Sequence, residues 1–154
     1  MQALLEQVVA GAGDEEVQAA GTVEVVVRPA LEATADDVLA ADGYVLGTTA
    51  NFGYMSGALK HFFDSTFLAV GGALDPSGAP GDGTGTGTTA GRPYGLWLHG
   101  RYDLTGAQRS VQSIVGALGW RQGYDVLGVL GELDDAALEA AYALGATIAA
   151  LLTD

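Results

Sequence analysis

Short runs of apolar, β-branched residues alternate along this chain with longer stretches whose apolar positions recur at helical spacing. A chain patterned in this way has few folds open to it. Strands that alternate with amphipathic helices pair in parallel and bury both faces of the sheet under those helices.

The pattern can be followed element by element. Leu4, Leu5, Val8 and Val9 give residues 2–11 one apolar face, and Gly11 and Gly13 mark its end. "TVEVVVR", Thr22 to Arg28, is rich in β-branched residues and predicts a strand closed by Pro29. Thr34 with Asp37 three residues on has the form of a capping box opening a short helix. "GYVLGTT", Gly43 to Thr49, predicts a strand buried on both faces. Ser56 is placed to cap a helix running to about Phe67, with Leu59, Phe62, Phe63 and Phe67 on its buried side. "PYGLWLHG", Pro93 to Gly100, predicts a further strand, and residues 106–118 a helix with Val111, Ile114, Val115 and Leu118 inward. Tyr124 to Gly131 predicts a weaker strand, interrupted by Gly128. Residues 134–152 carry the clearest helix, with Asp134 and Asp135 at its positive end.

The chain has 154 residues, a length that suits one domain, and 49% of them are hydrophobic, enough for a sizeable core. There is no cysteine, so disulfides, thiolate catalysis and cysteine-ligated metals are excluded. The formal net charge is −13, and Lys60 is the one lysine. Nucleic acid is excluded as a partner on that account, because phosphate binding needs clustered cations. The acidity reads either as solubility or as steering of a cationic partner. No apolar run approaches the length of a membrane span, and the first residues lack the basic region of a signal peptide, so the expected location is the cytoplasm.

Residues 71–91, "GGALDPSGAPGDGTGTGTTAG", are dominated by glycine and threonine and predict a long flexible loop. Gly85, Gly87 and Ala90 within it fit G-x-G-x-x-A. A dinucleotide fingerprint must follow a strand and open a helix, however, and this one precedes a strand. No hydrolase elbow is present, and Ser56, His61 and Asp64 lie too close on one helix to form a triad. Trp120, Arg121 and Tyr124 fall in a connection and are candidates for an interface between copies of the chain.

Open parallel sheets bind ligands beyond the carboxyl ends of their strands. Two segments leave such ends: "TTANFGYMSG", Thr48 to Gly57, and "HGRYDLTG", His99 to Gly106. Each mixes small residues, which let backbone approach a flat ring, with aromatics that could cover its face.

"GTTANFGYMSGALKHFFD", Gly47 to Asp64, resembles the segment after the third strand in flavodoxin-like FMN-dependent reductases. The tryptophan-repressor-binding-protein type quinone reductases carry a similar "GTPTxFGxM" there, and "GRPYGLWLHG" resembles their fourth strand. The resemblance implies a flavodoxin-like three-layer α/β sandwich with a parallel sheet in the order 2-1-3-4-5. It implies FMN at the carboxyl edge, its ring contacted by Thr49, Ala50, Asn51, Phe52 and Gly53 and by His99, Gly100, Arg101, Tyr102 and Asp103. It implies NAD(P)H as electron donor and a quinone or similar small molecule as acceptor. A flavodoxin-like electron carrier and a flavin-less interaction protein are the alternatives. Ala50 stands where those reductases have threonine, which removes one hydroxyl.

The family begins with an apolar central strand and a loop rich in serine, threonine and asparagine that holds the FMN phosphate at a helix N-terminus. Here Met1 stands at the first turn of that helix. The first strand is therefore expected to be missing, leaving a gap between Val23–Arg28 and Tyr44–Thr48. A start assigned too far downstream and a remnant that no longer binds flavin both accommodate this. FMN binding by these 154 residues is expected to be weak or absent, since charge-assisted hydrogen bonds to the phosphate contribute about 1.5–3 kcal/mol each.

Overall fold

The computed structural model describes residues 1–79 and 87–154. Helix α1 (Gln2–Ala12) buries Leu4 and Val8, as the spacing requires. It lies along α6 (Asp135–Leu151) at very short range: a Cβ on Gly145 would stand 2.0 Å from the Val8 carbonyl oxygen. Between α1 and the sheet's first strand come two short helices. The first, α2 (Glu15–Ala20), has no counterpart in the sequence reading and is capped by Asp14. The second, α3 (Ala35–Ala40), opens with the expected capping box of Thr34 and Asp37.

Strand β1 (Tyr44–Asn51) pairs in parallel with β3 (Pro93–Gly100), from Tyr44 opposite Tyr94 to Thr49 opposite His99. The chain between them forms a two-residue strand β2 (Tyr54–Met55) and helix α4 (Gly57–Thr66), capped by the Ser56 hydroxyl. Helix α5 (Thr105–Ala117) follows β3. The far edge of β3 takes two pieces in parallel: β4 (Arg121–Gln122) beside Pro93–Tyr94, and β5 (Leu127–Leu130) beside Trp97–Gly100. The expected strand over Tyr124–Gly131 is thus confined to its second half. The sheet runs β2-β1-β3-β4, with β5 also on β3.

Successive side chains of β3 enter opposite cores, as the pleat demands. Tyr94, Leu96 and Leu98 join Leu59, Phe63 and Val111 on one face. Trp97 joins Leu4, Leu144 and Ile148 on the other. This is the three-layer α/β arrangement expected from the alternation.

The expected strand Val23–Arg28 is not a strand. The segment carries no ladder partner, and Val25, Val26 and Val27 are exposed. β-branched residues favour an extended chain, but a strand also needs a neighbour about 4.8 Å away. Here a gap intervenes. A cavity of about 520 Å³ lies between this segment and β1, lined also by Leu5, Val8, Trp97 and Ile148. A second, of about 220 Å³, opens between the same two segments and is lined by Val38, Leu46, Leu59 and Phe62. The anticipated gap is present. The Gln18 side-chain amide holds the start of the segment by bonding both the N–H and the carbonyl of Val23, and Arg28 pairs with Asp37 at 3.6 Å.

The loop expected to be flexible over 71–91 is anchored at its far end. Thr89 is fully buried; its hydroxyl donates to the Val70 carbonyl (2.7 Å) and accepts from the Trp120 indole N–H (2.8 Å). Part of that expectation, including Gly85, falls on residues 80–86, outside the described residues. Trp120 is buried and stacks on Tyr44 with ring centroids 4.1 Å apart, so it is a core residue and not an interface residue. Among the described residues, no helix is long and apolar enough to cross a membrane.

Candidate functional site

The end of β1 is fixed from inside. Thr48 is buried; its hydroxyl donates to the Thr49 carbonyl (2.8 Å) and accepts from the Ser56 N–H (2.9 Å). Beyond it the chain reverses. Phe52 and Gly53 both have positive φ, 53° and 74°, as the two-residue turn of a tight hairpin requires. Ala50 then faces Met55 and Asn51 faces Tyr54 across an antiparallel pair. Met55 plugs the core beneath the hairpin, while the Phe52 ring is wholly exposed.

The hairpin sits on the start of α5. A Cβ on Gly106 would stand 2.0 Å from the Gly53 carbonyl oxygen, so only glycine admits this contact. At the neighbouring strand end, a Cβ on Gly100 would come within 3.0 Å of the Ala50 Cβ. The two segments singled out in the sequence therefore meet at the carboxyl edge of β1 and β3. Thr49 lies opposite His99, and Ala50 stands beside Gly100.

His99 is held, not free. Its Nε2–H donates to the Gly131 carbonyl at 2.7 Å, and the Gly131 N–H donates back to the Gly100 carbonyl at 2.7 Å. This clamp locks the end of β3 to the end of β5 and leaves Nδ1 as the ring's remaining polar atom. Arg101, Tyr102 and Asp103 are all exposed. The Asp103 carboxylate accepts from the Thr105 N–H at 3.0 Å. Hydrogen bonds to Thr105 hold its pKa below the ordinary carboxylate value, as expected for an anion at a helix start.

Of the ten residues singled out, Thr49, Ala50, His99 and Gly100 are brought side by side. Asn51, Phe52 and Gly53 form the hairpin tip above α5, and Arg101, Tyr102 and Asp103 flank the second segment in solvent. Thr48, Gly106 and the exposed Tyr54, which lie within the two segments, complete the geometry together with Gly131, which was not singled out. The pairing of a polar-aromatic-glycine turn with flanking strand residues was a hairpin signal in Asn51–Tyr54. No sequence signal marked the Gly53–Gly106 or His99–Gly131 contacts. Among the described residues no cluster of acids and histidines could hold a metal ion.

Neither a protein-family model nor a curated protein sequence matches the chain. Solved structures do. A flavodoxin from the domain Archaea superposes with a TM-score of 0.72 at 18% identity, over 99% of this chain and 90% of that one. A flavodoxin, WrbA-like protein from Agrobacterium tumefaciens superposes at 0.67 and 18% identity, with the same coverage of each chain. A flavodoxin from Streptococcus pneumonia TIGR4 gives 0.64 and 18% identity, over 95% of this chain and 90% of that one. The fold is flavodoxin-like.

Proposed function

We propose that this chain is a flavin-binding redox domain, one that grips an isoalloxazine ring between residues 49–53 and 99–103 and serves electron transfer from NAD(P)H to a quinone or similar acceptor in the cytoplasm. The convergence of those two segments at the carboxyl edge of a parallel sheet carries the reading, because that edge is where open α/β sheets bind their ligands. The ring end of the cofactor fits the residues present. Ala50, Gly53 and Gly100 leave backbone accessible to a flat heterocycle. Phe52 and Tyr102 offer exposed aromatic faces to it. A bound flavin supplies the hydride and electron chemistry; the protein positions it. Within that arrangement Thr48 and the Gly53–Gly106 contact fix the first segment, and the His99–Gly131 clamp fixes the second.

The phosphate end does not fit in the same way. The N-terminus of α1 opens into the larger cavity through Met1 and Gln2, with no side-chain cap. Those side chains bring neither hydroxyl nor cation to a phosphate. Recognition by residues 1–154 therefore rests on the ring, and riboflavin tests it as well as FMN does. Titration of either ligand should quench flavin fluorescence saturably, with about equal affinities for the two, since the dianion gains little here. Gly53→Val should weaken both, because the turn needs positive φ. Absence of saturable quenching with both ligands would overturn the proposal.

The acidity favours a second reading, that of an electron carrier whose surface, at net charge −13, docks a basic redox partner. Turnover of NAD(P)H and a quinone by flavin-loaded protein separates an oxidoreductase from a carrier. Sedimentation in the same state tests the homo-oligomer that such a protein could form.

A further inference from the structure

We draw no further inference here: the strongest candidate, the groove along the first turns of α5 lined by Thr105, Gln108, Arg109, Gln112 and Ser113, rests on the polar face at the start of a single helix, and among the described residues no buried polar side chain without a partner points to what it would hold.

Discussion

The carbonyl oxygen of Gly53 occupies the place a Cβ on Gly106 would need, 2.0 Å from it. This contact sets the hairpin onto the first turn of α5, and with it the distance between the two proposed ring-binding segments. Gly106→Ala must push the hairpin outward. The expected cost is about 1–3 kcal/mol in urea unfolding, typical of overpacking, together with a loss of riboflavin affinity of about tenfold or more. Unchanged affinity in a folded variant would separate hairpin position from ring binding.

Phe52 holds a left-handed backbone conformation while its ring is fully in solvent. A bulky residue there costs of order 1–3 kcal/mol, with no burial to offset it. Asparagine suits the first position of such a turn. Phe52→Asn should therefore raise the urea midpoint, by up to about 1 kcal/mol in stability, while weakening riboflavin binding. Stabilisation without loss of affinity would remove the ring of Phe52 from the proposed site.

Thr89 joins the Val70 carbonyl to the Trp120 indole inside the core. Thr89→Val keeps the shape and removes both bonds, leaving a buried N–H and a buried C=O unsatisfied. The expected cost is about 1–3 kcal/mol for each orphaned group, with a lowered thermal midpoint. Trp120 emission should change in the same variant. A midpoint equal to that of the parent chain would mean the glycine-rich segment is not anchored through this residue.

Asp14 caps α2 and accepts the Tyr142 hydroxyl at 2.5 Å, tying α2 to α6. The Tyr142 bond, followed by the Glu16 amide, holds the Asp14 carboxyl below its ordinary 3.8. The same bond raises Tyr142 above 10.0. The lowered acid contributes stability above about pH 4 that is lost as pH falls through its folded value. The raised phenol contributes stability below about pH 10 that is lost as pH rises through its folded value. Tyr142→Phe should thus destabilise the chain at neutral pH, and the difference from the parent should shrink toward both pH 3 and pH 11. Urea midpoints across that range measure it; a pH-independent difference would show that the bond does not titrate with folding.

Local chemistry was enough to read much of this protein. The capping box of Thr34 and Asp37, the Ser56 cap, and the apolar faces of α1, α4, α5 and α6 depend on residues within a turn or two of one another, and each appears where its spacing placed it. The strands Tyr44–Asn51 and Pro93–Gly100 were equally legible, because a continuous apolar run can be satisfied only between two helical layers. The two segments of the candidate site were legible as strand ends for the same reason. Partnership was decided only by the tertiary structure. Val23–Arg28 has the composition of a strand but no edge within reach to bond, so it forms no ladder and leaves Val25, Val26 and Val27 exposed. Trp120 and Thr89 belong to segments that look like loops, yet they meet in the core because β4 draws the former inward beside Pro93. Gly53 and Gly106, fifty-three positions apart, touch only once the sheet brings β2 over α5. Periodicity and capping are properties of neighbouring residues; pairing and close approach are properties of residues that folding makes neighbours.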